Sequence, residues 1–334
     1  MLEPGVVLVT GPNGAGKTNL LEALHVGTQG FSPRARNDAQ LIRFGADAGR
    51  VALAGTNGAG RFESDVVLHA REARRARLNG AVLRSSEQLR HELQTLVFTP
   101  DRLAVVKGGP ATRRAYLDRS LGRLFPARAT LSVEYAAAVG QRNAALRRLA
   151  AGASSREAID PWNETVALLG AQLVEARRAA LDALVGPYAA LADRLGLPSA
   201  TATYEGEPAT AADLEARLEK DLERGVTGAG PHLHDVGLRS EGRDLRGFGS
   251  QGEQRIAVLA LVLAEAEALS LRSDAHPLVL LDDVLSELDE ERRRVLGEIV
   301  AGGGQTVVTT TSAGSLPTEP AQQLAVSPGE VRAA

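Results

Sequence analysis

The sequence contains no cysteine among its 334 residues. That excludes a disulfide framework, a thiolate zinc site and a cysteine nucleophile. Long apolar runs are missing too. No stretch approaches the ~20 residues a membrane helix needs, and Met1–Thr10 has neither the basic start nor the cleavage pattern of a signal peptide. The expectation is a cytoplasmic chain with no membrane partner. Internal repeats are absent. Net charge is only −3, so a uniformly basic coat for nucleic acid is excluded, though a local basic face is not. Aromatics make up 3%. Lysine occurs only at Lys17, Lys107 and Lys220 in an arginine-rich background. Each lysine therefore stands out as a place where a compact ammonium is retained.

What is present is an ordinary globular composition, 44% hydrophobic and 24% charged, with ample length for a core. Val6 to Thr10 reads as a buried strand and Asn19 to Leu24 as helix, with a glycine-rich loop between them. Strands are expected at Arg50–Ala54 and Arg61–His69 around a tip at Thr56–Gly60, with a turn at Leu78-Asn79-Gly80 and a further strand at Leu96–Phe98. From about Thr112 the strand signals stop. Helices are expected over 112–123, 128–150 and 161–194, the last kinked or broken at Pro187. A strand near 199–204 and a helix near 210–223 follow. Residues 232–247 read as strand, turn and strand, with His232 and His234 on one strand face. A helix over 253–271 is apolar nearly all round and should be buried. Leu278–Asp283 reads as a buried strand ending in acid, Glu287–Val300 as helix and Gln305–Thr310 as strand. The last 15 or so residues read as a weakly ordered tail.

Three motifs carry chemistry. Gly11-Pro12-Asn13-Gly14-Ala15-Gly16-Lys17-Thr18 matches G-x-x-x-x-G-K-[ST], with Asn19 next. Its glycines let backbone N–H groups converge on a phosphate, Lys17 reaches the β- and γ-phosphates, and the Thr18 hydroxyl can ligate Mg²⁺. Asp282 can hold Mg²⁺ at the end of its strand, and Asp283 stands where a general base for water would. The bland alternative is that both acids cap the next turn. Ser250-Gln251-Gly252-Glu253 offers an anion site at a helix start. It also has the spacing of a plain capping box.

These motifs, with Ser286-Glu287-Leu288-Asp289 after the acidic strand, resemble the ABC-type ATPases. Within that group the chain resembles the RecF family. The likeness rests on Gly11–Ala23, Leu41–Gly45, Phe98–Asp101, Val106–Pro110, Arg113-Arg114, Leu117-Asp118, Gly230-Pro231-His232, Gly242–Arg246, Ser250–Arg255 and Leu281–Asp289. It implies an α/β fold: an ABC-ATPase head, a P-loop NTPase, over 1–111 and 226–334, with a mostly helical arm inserted at 112–225. It implies ATP and Mg²⁺ as cofactors, and an ATP-driven homodimer in which Ser250–Glu253 and Asp289 close on the partner's nucleotide. It further implies binding to duplex and gapped DNA, slow hydrolysis, and action with RecR and RecO in loading RecA. Asp101 or Thr99 stands where related ATPases carry a glutamine, and Thr310-Thr311 where they carry a switch histidine.

For DNA contacts, residues 31–119 hold 15 arginines and Lys107 against 9 acids. The densest point is Arg71, Arg74, Arg75 and Arg77, a stripe that can neutralise phosphates or simply be a solvated strand end. No aromatics interleave, which argues against base stacking. Two other readings share the ATPase motifs. The ATPase subunit of a membrane transporter lacks the long insertion, and an SMC-like structural ATPase needs sustained heptads that this chain does not have.

Overall fold

The computed structural model describes every residue except Arg36, Ala59, Asp274 and Ala275. The chain runs β1 (Val6–Thr10), α1 (Lys17–Gln29), β2 (Ala48–Asn57), β3 (Gly60–His69), β4 (Arg75–Leu78), β5 (Ala81–Val82), α2 (Ser86–Glu92) and β6 (Thr95–Phe98). It continues through α3 (Ala104–Lys107), α4 (Pro110–Leu124), α5 (Leu131–Ala150), α6 (Asp160–Arg194), β7 (Thr201–Glu205), α7 (Ala211–Ala216) and α8 (Leu218–Arg224). Then come β8 (Asp235–Ser240), β9 (Arg243–Asp244), α9 (Leu245–Phe248), α10 (Gln251–Ser270), β10 (Leu278–Leu281), α11 (Glu290–Ala301), β11 (Thr306–Thr310), β12 (Gln322–Ser327) and β13 (Glu330–Ala333).

Two compact units divide these elements. The first comprises residues 1–103, 190–197 and 250–334. Its main sheet has the order β13-β12-β1-β11-β10-β6, parallel except for the β12–β13 pair. Strands β1, β6 and β11 are buried along their whole length, as expected of a parallel sheet covered on both faces. Val7, Val9, Leu21, Leu24, Val97, Leu280 and Val307 form one core layer. Helix α10 packs on β6 and is buried nearly all round, as its sequence predicts. A second, antiparallel sheet in this unit has the order β2-β3-β4-β5. Its β4–β5 turn is Asn79-Gly80, with φ +50° and +81°, the type I′ geometry that Asn-Gly favours.

The tail expectation is overturned. β12 pairs in parallel with β1 and β13 closes back on β12. Leu324 and Val326 enter the core, and the alternating run Leu-Ala-Val-Ser is the period-2 signal of a half-buried strand. Helix α11 starts at Glu290 rather than Glu287, because the Asp289 side chain accepts from the Arg292 amide and caps it there. The expected hairpin tip at Thr56–Gly60 includes Ala59, which lies outside the described residues.

The second unit comprises residues 104–189 and 198–249. It therefore takes in β8, β9 and α9 beyond the 112–225 span read from sequence. Its sheet is antiparallel β7-β8-β9. Helix α6 continues through Pro187 to Arg194, although the ring removes one amide donor. The fully buried Arg142 organises the helices. It donates to Asn163 Oδ1 (2.8 Å), Asp221 Oδ2 (2.7 Å), Thr227 Oγ1 (3.0 Å) and the Leu214 carbonyl (3.2 Å). A buried guanidinium persists only when it is ion-paired and hydrogen-bonded in this way.

Candidate nucleotide site

Strand β1 delivers the chain at Thr10 into the loop Gly11–Gly16, and α1 begins at Lys17. Gly11 has φ +157°, and a Cβ there would stand 2.5 Å from the Val326 carbonyl oxygen of β12. Only glycine lets the loop leave the sheet so close to that backbone. The α1 N-terminus has no acidic residue in its first turn and no side-chain cap. Its first amides and positive dipole end are thus left to serve an anion. Lys17 is 8% exposed, and its Nζ donates to the Gly11 (2.7 Å) and Pro12 (3.0 Å) carbonyls. The ammonium is held across the loop that the phosphate-binding reading requires.

The two halves of the site meet at one oxygen. Thr18 Oγ1 donates to Asp282 Oδ1 at 3.1 Å, and Thr309 Oγ1 donates to the same atom at 2.8 Å. The Asp283 amide donates to Thr309 Oγ1 at 2.9 Å. Thr309 lies in β11, between β1 and β10 in the sheet, and fixes both acids. Sequence reading missed it, since a threonine in a β-branched strand gives no signal of its own. Thr18 and Asp282 bring hard oxygen donors to one point, which fits Mg²⁺, an ion that takes most of its remaining ligands from phosphate and water. Asp283 sits at φ +49°, an uncommon conformation for a non-glycine residue and one that clusters at functional sites.

Ser250 and Glu253 form the capping box of α10. The Glu253 amide donates to Ser250 Oγ at 3.2 Å, and the Ser250 amide donates to Glu253 Oε2 at 2.7 Å. Ser250, Gln251 and Gly252 are exposed, so the capping role leaves the segment on the surface. Asp289, also exposed, caps α11. Both segments thus serve helix starts of their own rather than the Gly11–Thr18 loop.

The four stripe arginines separate. Arg74 pairs with Asp38 at 3.1 Å and donates to the Gly30 carbonyl. It ties down the segment after α1 and is withdrawn from the stripe. Arg71 is exposed. Arg75 forms an exposed pair with Glu72 at 3.3 Å. Arg77 faces outward opposite Asp65, which Arg50 grips with two hydrogen bonds. The Arg50 hydrogen bond, working against slight desolvation and aided by the charges of Arg50 and Arg77, holds the Asp65 carboxyl below its ordinary range. This outer face is therefore mixed in charge rather than purely basic.

His232 and His234 precede β8 and bind tyrosines. His232 accepts from or donates to Tyr135 Oη (2.7 Å) and the Thr227 carbonyl (3.0 Å), while His234 pairs with Tyr204 Oη (2.9 Å). The carbonyl can only accept, so His232 carries its proton on Nε2 and accepts the Tyr135 hydroxyl at Nδ1. Among the described residues no cluster of three His, Cys, Asp or Glu side chains forms a metal site.

The architecture is that of the family described as RecF/RecN/SMC N-terminal domain, whose model matches residues 1–327. Two curated relatives named DNA replication and repair protein RecF narrow this. The one from an Anaeromyxobacter species is 41% identical over 312 residues, covering 88% of this chain and 82% of its own. That from Myxococcus xanthus is 38% identical over 332 residues, covering 92% and 85%. The chain belongs to the RecF family. A solved structure described as the recombination mediator protein RecF with ATP in the RecFOR pathway aligns with TM-score 0.86 and 26% identity, covering 100% of this chain and 92% of that one. The ABC-ATPase fold expected from sequence is thereby borne out. Among the described residues no helix is long and apolar enough to cross a membrane.

Proposed function

We propose that this RecF-family chain is a cytoplasmic, ATP-gated DNA-binding dimer of recombinational repair and a slow, DNA-dependent ATPase. The observation that carries the reading is the convergence of Thr18, Asp282 and Thr309 on one carboxylate oxygen beside the Lys17 loop. The α1 N-terminus and Lys17 bind the phosphates of ATP. Thr18 and Asp282 would hold Mg²⁺, which when bound neutralises charge on the β- and γ-oxygens. The Asp283 carboxylate accepts a proton from the attacking water, and its main chain is kept in place by Thr309. Ser250, Gln251, Gly252 and Asp289 lie exposed, which suits the Ser250–Glu253 segment and Asp289 to close on the nucleotide of a second copy. Two heads joined through ATP would present a composite face to duplex DNA and single-strand/duplex junctions, with Arg71, Arg75 and Arg77 as contacts. RecR, RecO and RecA are the functional partners this implies.

Gel filtration with and without ATP and a gapped duplex tests the reading. The expected result is an ATP-dependent shift to a dimer that retains the duplex and loses it steeply with salt. An elution volume indifferent to ATP and DNA would defeat it. For the base, Asp283→Asn is expected to slow turnover by about 10²–10⁴-fold and to prolong the dimer. An unchanged rate removes Asp283 from that role.

A further inference from the structure

Asp283 carries a feature that nucleotide binding leaves unused. Its Oδ1 is buried and, among the described residues, has no hydrogen-bond partner. An unpaired carboxylate oxygen out of water is expensive and calls for a partner. Asp283 lies on the wall of a cavity of about 80 Å³. Arg255 of α10 and Glu287 share that wall, and Arg255 is its only cation among the described residues. Arg255 is ion-paired to Glu287, whose side chain is 51% exposed. The arginine therefore satisfies the wetter of two carboxylates, while the buried one on the same cavity goes without. The rest of the wall, including Phe98, Leu259 and Val284, is largely apolar and supplies no competing charge. A water needs only about 10–15 Å³ of such space, so the gap between these side chains is not closed by packing.

Neighbouring contacts single out Glu287 as the release point. Ser286 Oγ donates to the Asp283 carbonyl (2.9 Å) and Arg293 Nε to the Leu285 carbonyl (2.9 Å). Those bonds hold the turn to its own strand end and to α11. Among the described residues, the Arg255–Glu287 pair is what ties the turn's acidic side chain to α10. Helix α10 is the one that Ser250 caps, so a ligand or subunit seated on Ser250–Glu253 acts directly on the first turns that carry Arg255.

We infer that Arg255 is a two-position latch, a positioning residue that pairs with Glu287 to leave Asp283 free and with Asp283 to block hydrolysis. In the first position the Asp283 carboxylate has no cation on it and keeps its lone pairs for the proton of the attacking water. In the second, the guanidinium occupies its lone pairs and Glu287 is released to solvent. The latch thereby links closure at Ser250 to hydrolysis at Asp283. It rests on the reading of Asp283 as the base.

The test compares full-length Glu287→Gln, Arg255→Gln, the double variant, Glu287→Asp and Asp283→Asn. Turnover and KM are measured with ATP and gapped duplex, and affinity with a fluorescent ATP analogue. Glu287→Gln removes the charge that holds Arg255 and leaves Asp283 as the one carboxylate lining that cavity among the described residues, and is expected to lower kcat at least ~10-fold with nucleotide affinity unchanged. Adding Arg255→Gln is expected to restore kcat to near the wild-type value, a rescue that a merely structural ion pair would not give. Glu287→Asp, which keeps the pair, is expected to stay close to wild type. Wild-type turnover in Glu287→Gln, or a double variant no faster than that single one, overturns the latch. If Asp283→Asn is slow and the rescue fails, the latch alone falls; if Asp283→Asn turns over normally, the base assignment falls first.

Discussion

Thr18, Asp282 and Thr309 show how much one oxygen atom can organise. Asp282 Oδ1 accepts two hydroxyls from segments that lie 264 and 27 residues away in sequence. Gly11–Thr18 and Asp282-Asp283 were legible because their residue types and spacing are dictated by phosphate and metal chemistry. Thr309 was not, since its role exists only once β11 lies between β1 and β10. Arg74 was misread for the same reason: its partners Asp38 and the Gly30 carbonyl are distant in sequence. Thr309→Val keeps the shape and removes the hydroxyl. It strips a donor from Asp282 and an acceptor from the Asp283 amide, so stability is expected to fall by about 1–3 kcal/mol and turnover with it. Urea titration and a steady-state ATPase assay read both. A variant matching wild type in each would contradict the bridging role.

At the scale of elements, the helices and parallel strands follow the hydrophobic periodicity closely, and the misses have physical causes. The β12–β13 pair looks like a tail because its partner, β1, lies at the other end of the chain. Helix α6 passes Pro187 because losing one amide bond does not undo a 35-residue helix. The segment before β8 makes a pH prediction. Burial lowers the His232 pKa below its ordinary 6.5, with the Thr227 carbonyl opposing and Arg114 and Arg177 assisting. His234 is lowered as well, by burial first. Between the folded and unfolded values the unfolded chain binds more protons, so stability rises with pH. It is complete above about pH 6.5 and is lost as pH falls toward the depressed folded values. Denaturation midpoints from about pH 7.5 down to 5 should fall in wild type and fall less in His232→Gln, whose amide can still donate to Thr227. Equal slopes would show that His232 does not carry the effect.

For the whole molecule, the near-neutral net charge describes no single stretch of the chain. It averages an arginine-rich stretch, itself laced with Asp65, Glu63 and Glu72, against an acidic remainder. The inserted helical unit was legible as a change in composition near residue 112. Its extent was not, because β8 and β9 pair with β7 across an intervening helical segment. The P-loop and the Ser250 segment belong to one compact unit, yet each serves its own helix start. In the proposed function a second copy of the chain completes the nucleotide site. Sedimentation velocity on Ser250→Arg, run beside wild type with and without ATP, tests this most directly. Wild type is expected to gain a dimer boundary on adding ATP, while Ser250→Arg binds ATP and stays as it was without it. An ATP-driven dimer of Ser250→Arg equal to that of wild type would contradict the account.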